Sequence, residues 1–190
     1  MKEMNIILAG VGGQGTILAS KVLADVAMLE GYDVKISEIH GMAQRGGSVI
    51  THVKFADKVY SPLIENKKAD FIVAFELLEA MRRMHFLKDN GEIIVNEQEI
   101  EPMTVITGNA EYPQEILSNL EKVAKITPIN ALEIAKELGN VKVVNIIMLG
   151  YLASKMKVSI ENWHKAMKNQ IKEKYVDLNL KAFEIGYNIE

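Results

Sequence analysis

The sequence predicts a single three-layer α/β/α domain built on a mainly parallel sheet. Three observations carry that reading. An apolar run, Ile6 to Ala9, discharges into a glycine cluster, Gly10, Gly12, Gly13 and Gly15, and a helical pattern begins at Thr16. Further apolar runs then alternate with helix-period segments, the pattern of strands covered by helices on both faces. The length, 190 residues, supports one such domain with a real core and is too short for two.

In chain order, Ile6–Ala9 reads as a buried strand and Gly10, Gly12 and Gly15 fit G-x-G-x-x-G. Strand, glycine turn and helix together give the motif mechanical meaning. The first glycine permits the turn, the second lets a phosphate approach the backbone, and the third lets helix and strand pack. Orphan N–H groups at the helix start favour an anion. Gly31 marks the end of the first helix, and Asp33–Ile39 reads as the second strand. Residues 40–48 form a loop with three glycines and one arginine, and residues 49–57 alternate as a strand.

Ser61-Pro62 punctuates a turn, residues 69–76 read as a buried parallel strand, and residues 77–87 have helical spacing. Asn90-Gly91 reads as a turn before a short strand, Glu92–Asn96. Residues 101–113 look irregular, with a candidate strand over Thr104–Thr107. Residues 130–139 read as a helix closed by Gly139, and residues 143–156, nearly all apolar, as a buried helix. Asn145, inside that apolar stretch, requires a structural hydrogen bond for its amide. Ser159 caps a long amphipathic C-terminal segment.

Composition narrows the function classes. Hydrophobic residues make up 48% and charged residues 25%, the balance of an ordinary globular protein. The net charge of −3 supplies no basic footprint for nucleic acid. No apolar run reaches the length of a membrane span, and the N-terminal run leads into the glycine turn and not into a cleavage site. A cytoplasmic location is the default expectation. The chain has no cysteine, hence no thiolate for an iron–sulfur cluster. Its four histidines are scattered, without metal-ligand spacing, so no metal site is expected.

Two readings of the loops follow from the residues. A Rossmann-like dinucleotide site for NAD or FAD would want an acid at the end of the second strand, and Glu38 stands there. The loop His40-Gly41-Met42-Ala43-Gln44-Arg45-Gly46-Gly47-Ser48 offers close backbone and a guanidinium fork for phosphate or carboxylate. Its blander reading is a surface turn.

The wording of both loops resembles a known family. GVGGQGT at 10–16 and SEIHGMAQRGGSV at 37–49 are similar to the gamma subunit or domain of the 2-oxoacid:ferredoxin oxidoreductases. The most similar branch is the beta subunit of the indolepyruvate enzymes. SPLI at 61–64, residues 69–82, Tyr112-Pro113, NIIMLGYLA at 145–153 and NLKAFEIGY at 179–187 extend the likeness over nearly all of residues 1–190. The resemblance implies that a large partner subunit carries thiamine diphosphate and the iron–sulfur clusters. The complex would decarboxylate a 2-oxoacid oxidatively, reduce ferredoxin and form an acyl-coenzyme A. This chain would hold no cofactor of its own and be inactive alone. Gly10, Gly12, Gly13, Gln14 and Gly15 match the family's first loop, and Gln44, Arg45, Gly46 and Gly47 its second. Both loops should meet at the carboxyl edge of the sheet, facing coenzyme A or the partner. No catalytic residue is expected on this chain.

Overall fold

The computed structural model describes residues 3–41 and 46–190. Among these, six strands form one sheet in the order β2-β3-β1-β4-β5-β6. The strands are β1 (Glu3–Val11), β2 (Asp33–His40), β3 (Ser48–Ala56), β4 (Ala69–Ala74), β5 (Leu87–Asn96) and β6 (Lys125–Ile129). Strands β1, β4, β5 and β6 are parallel neighbours. Strand β3 runs antiparallel to both β1 and β2, so the sheet is mixed. The connection from β2 to β3 is seven residues, 41–47. A parallel return needs a crossover of a dozen or more residues, so this link can only make a hairpin-like reversal.

The described helices number eight: α1 (Thr16–Leu29), α2 (Leu77–Arg83), α3 (Met103–Ile106), α4 (Ile116–Glu121), α5 (Ala131–Glu137), α6 (Val144–Lys155), α7 (Ile160–Gln170) and α8 (Glu173–Tyr187). One face of the sheet carries a large apolar core. Ile6, Leu8 and Val53 meet Leu23 of α1, Ile146 and Leu149 of α6, Trp163 of α7 and Phe183 of α8. The other face is smaller and joins Ile7, Ala9, Ile72 and Ile93 to Leu78 of α2 and Leu120 of α4.

Several elements sit as their residues suggest. Gly31 closes α1 at φ 84° and Gly139 closes α5 at φ 78°. The Ser159 side chain accepts from the Asn162 N–H at the start of α7. Helix α6 is buried through ten successive residues, Val144–Ala153.

Others differ. Thr104–Thr107 is not a strand: Met103–Ile106 forms α3, with Pro102 C=O accepting from Val105 and Ile106 N–H. Its β-branched residues have no strand alongside to pair with, so local turn bonding decides. Asn90-Gly91 does not separate two elements. Strand β5 runs through it, and the register against β4 jumps there, Ala69 opposing Leu87 but Phe71 opposing Glu92. Strand β6 and α4 gave no clear sequence signal. The C-terminal amphipathic segment breaks into α7 and α8.

Candidate functional site

Strands β1, β2, β4, β5 and β6 all point the same way, so the segments that follow them share one edge of the sheet. This is the edge at which α/β folds bind ligands. The first loop is built around amide chemistry. Gln14 Oε1 accepts from Val11 N–H at 2.7 Å, and its Nε2 donates to Phe75 C=O at 2.9 Å. Asn96 Nδ2 also donates to Phe75 C=O, and Gln98 Oε1 accepts from both Gln14 and Asn96. Gly10 is buried beneath this knot, where a Cβ would stand 2.9 Å from Gln14 Oε1 and 3.1 Å from the Phe75 ring. Gly10 and Gln14 therefore shape the loop from inside.

Gly12 ties the first loop to the second. Its N–H donates to Gly47 C=O at 2.8 Å, and its C=O accepts from Gly46 N–H at 3.4 Å. Gly10 to Gly15 and Gly46-Gly47 are thus brought together. Gln44 and Arg45 lie outside the described residues.

Gly13, at φ 107°, faces open space, and Gly15, at φ 82°, precedes α1 with no side chain capping the helix. The first N–H groups of α1 lack intrahelical partners and point outward. Beside them lies a cavity of about 370 Å³, lined by Gly13, Gly15, Gln98, Lys142 and Asn145 among others. Asn145 Nδ2 donates to Gly15 C=O at 3.1 Å, the structural bond its burial demands. Its Oδ1 is buried and has no partner among the described residues. A Cβ on Gly15 would lie 2.5 Å from Asn145 Nδ2, so glycine is required by space as well as by φ. The arrangement offers donors, the positive helix end and one lysine, which suits an anionic group.

The second loop is anchored by buried charge. Ser48, its first residue in β3, donates to Glu79 Oε2 at 2.5 Å and accepts from Arg83 at 2.7 Å. Glu79 is 1% exposed, and its other oxygen accepts from Arg82 at 2.5 Å. One turn earlier Glu76, equally buried, caps α2 by accepting from Glu79 N–H, and its Oε1 accepts from Tyr112 OH and Ile100 N–H. Burial pushes the Glu76 carboxyl up from the usual carboxylate value, against the lowering effect of these bonds. Burial, and then the bond to Glu76, raise the Tyr112 phenol. Glutamate is not one of the usual helix-capping residues, so the capping role of Glu76 left no sequence signal. Asn96, Gln98 and Lys142 gave no signal of their own.

Glu38 does not take the role of a ribose-binding acid. Strand β3 lies between β1 and β2, so Glu38 stands one strand away from the first loop. Its carboxylate accepts from Thr51 Oγ1 at 3.2 Å and pairs with His40 at 3.1 Å. Trp163 is fully buried against Phe183. Among the described residues no group of three or more His, Asp or Glu is placed to hold a metal ion. Among them, too, no helix is long and apolar enough to cross a membrane.

Fold and site together describe an α/β domain whose glycine-rich first loop and Gly46-Gly47 meet at one sheet edge. The sequence model of the pyruvate ferredoxin/flavodoxin oxidoreductase family matches residues 5–189, and the chain belongs to that family. Subunit IorB of the indolepyruvate oxidoreductase from Archaeoglobus fulgidus is 44% identical over 191 residues, covering 98% of this chain and 94% of that one. IorB of Pyrococcus horikoshii is 39% identical, covering 98% and 95%. The structure resembles the gamma subunit of the keto/oxoacid ferredoxin oxidoreductase from Geobacter sulfurreducens, with TM-score 0.72, 26% identity and 97% and 96% coverage. It also shares its fold with part of 2-oxoglutarate:ferredoxin oxidoreductase from Magnetococcus marinus, determined with 2-oxoglutarate, coenzyme A and succinyl-CoA bound. There the TM-score is 0.76 at 20% identity, with coverage of 98% of this chain and 31% of that one.

Proposed function

We propose that this chain, as one gamma-type domain over residues 1–190, is the subunit of an indolepyruvate:ferredoxin oxidoreductase that bears no resident cofactor. The 37–44% identity to four IorB subunits supports the indolepyruvate branch over the pyruvate branch, whose gamma-type subunits match at 28–29%. The reaction is oxidative decarboxylation of an aryl 2-oxoacid to its acyl-coenzyme A, with electrons passed to ferredoxin in the cytoplasm. Thiamine diphosphate on a large partner subunit supplies the carbanion chemistry, and iron–sulfur clusters there carry the electrons. A chain without cysteine offers no thiolate to such clusters, which fits that division.

The contribution of this chain is positional. The observation that carries this reading is the joining of the two glycine loops through Gly12 and Gly47, beside an open helix start and Lys142. We assign Gly12, Gly13, Gly15, Gly46, Gly47 and Arg45 to contact with coenzyme A phosphates or with the partner surface that holds them. Gly10, Gln14 and, by sequence, Gln44 shape those loops. In this role the N–H groups of α1 and the Lys142 ammonium draw in the anion, while the buried Glu76–Glu79 network keeps the second loop in place.

The test is reconstitution with the large subunit. The chain alone turns over no 2-oxoacid, and the pair reduces a viologen dye with indolepyruvate and coenzyme A. Arg45→Ala and Lys142→Gln each remove one charge-assisted contact, about 1.5 to 3 kcal/mol, or tenfold and more in affinity. A raised KM for coenzyme A identifies phosphate contact, and weakened subunit association identifies contact with the partner. Wild-type values for both quantities in both variants would refute the loop assignment.

A further inference from the structure

A second cavity lies on the opposite face of the sheet from α1, beneath the stem of the second loop. Its volume is about 380 Å³ and it opens outward. It exists because helix coverage stops short on this face. The α2–α4 core lies over β1, β4 and β5 and reaches β3 at Ile50, and beyond it the chain around Ile64 and Phe86 lies against His52. Ile39 of β2 sits in register with Ile50 of β3, and with Phe86 they give the cavity its apolar wall.

The polar wall consists of donors. His52 is 4% exposed, and its Nδ1 accepts from Ile64 N–H at 3.1 Å. That bond places the imidazole proton on Nε2, which makes no hydrogen bond among the described residues. Phe86 packs edge-on against the ring at 5.4 Å and fixes its plane. Burial, then the neighbouring Arg83, hold the His52 pKa below the usual value, so the ring stays neutral and keeps this tautomer. Arg83 is positioned by Ser48, and its Nε is buried without a partner among the described residues. Glu79 lies 3.7 Å from Arg83 but is shared with Arg82, so one carboxylate faces two guanidinium groups and a positive charge remains. His40, at the rim, is engaged by Glu38. None of the described residues lining the cavity is acidic, in a chain whose net charge is −3.

We infer that this cavity binds a carboxylate carried on an apolar body, with the acid received by Arg83 and His52 Nε2–H and the body by Ile39, Ile50 and Phe86. A guanidinium fork and one neutral N–H match a single negative charge with two acceptor oxygens. Apolar walls with a few convergent donors are the usual make-up of a small-molecule pocket of this size. A phosphate dianion finds too little compensating charge and too much apolar surface there. The carboxylate has two conceivable sources, a free acid or an acidic side chain of the partner subunit. The site does not depend on the coenzyme A reading, which concerns the other face.

Sodium phenylacetate titrated into the full-length chain tests the inference, with the His52 imidazole signals followed by NMR. Saturable movement of the Nε2 signal is expected. Phenylacetamide, of equal shape but uncharged, should bind about tenfold more weakly, the worth of one charge-assisted contact, and inorganic phosphate should leave the signal in place. Ile39→Glu sets a tethered carboxylate at the mouth and should abolish phenylacetate binding. Ile39 is 53% exposed, so this variant keeps its fold. No saturable shift, an equal response to phenylacetamide, or unchanged binding in Ile39→Glu would each overturn the assignment. Repeating the titration on the assembled complex separates the sources. Retained binding means a free acid, and binding lost on assembly means that the partner's own carboxylate fills the site.

Discussion

The two faces of the sheet are stabilised by different means. On the α1 face the contact is apolar and very close. Helices α6 and α8 meet at Gly150 and Gly186, where a Cβ would come within 2.2 Å of Phe183 C=O and 2.0 Å of Ile147 C=O respectively. Trp163 and Phe183 are fully buried beside this contact. On the α2 face the apolar core is smaller, and Glu76, Glu79 and His52 are buried beside it. Charge is costly to bury unless every oxygen is bonded, and here the bonds run outward to Ser48, Tyr112 and Ile100. One face thus supplies rigidity. The other spends some of it to hold the second loop and an open cavity in place.

The comparison breaks most visibly at the glycine pair. Gly186→Ala should cost about 3 kcal/mol or more through overpacking, roughly a 10 °C loss in melting temperature. The same change at Gly13, which faces open space at positive φ, should cost about 1 kcal/mol from backbone strain alone. Thermal unfolding followed by circular dichroism decides it. Equal losses at the two sites would mean that α6 and α8 can slide apart.

The polar network comes next. Glu79→Ala leaves Ser48, Arg82 and Arg83 without their shared acceptor and should cost about 2 kcal/mol in urea unfolding. The exposed pair of Glu133 with Lys136 supplies the control. Glu133→Ala should change stability by less than about 0.5 kcal/mol. If Glu79→Ala were equally silent, the network would not be what holds the loop stem.

The smallest effects are in pH dependence, where two buried groups oppose each other. With its pKa raised above 4.5, Glu76 binds protons more readily folded than unfolded. Its contribution is complete below pH 4.5 and declines as pH rises through the raised value. With its pKa lowered from 6.5, His52 does the reverse. Its contribution is complete above pH 6.5 and is lost as pH falls through the lowered value. Stability curves from pH 4 to 8 should therefore rise more steeply with pH in Glu76→Gln than in the wild type. Tyr112→Phe should cost about 1 kcal/mol and push Glu76 higher still, since its hydroxyl favours the ionised form. An unchanged profile in Glu76→Gln would show that Glu76 does not titrate in this range.

The sequence by itself determined most of the strands and where the first loop lies, though it gave no sign of β6 and suggested a strand over Thr104–Thr107 where the chain forms α3. Apolar runs as short as Ile6–Ala9 and Ala69–Ala74, bounded by turn residues, favour a buried strand over a helix. A glycine cluster between strand and helix leaves few backbone paths. It also carried the family wording that placed the chain among oxidoreductase subunits. The tertiary structure decided what stands beside what. A buried apolar strand signals burial without naming its neighbour, so the position of β3 between β1 and β2, which retires Glu38, was not legible in the residue pattern. The short 41–47 connection was the one available clue to its reversal. Asn145 reaches Gly15 across 130 positions, and Glu79 reaches Ser48 across 31. Such pairs leave no local trace, because a buried amide or carboxylate demands a partner without specifying where in the chain that partner lies. Packing alone chose them, and with them the geometry of the first loop and the position of Ser48.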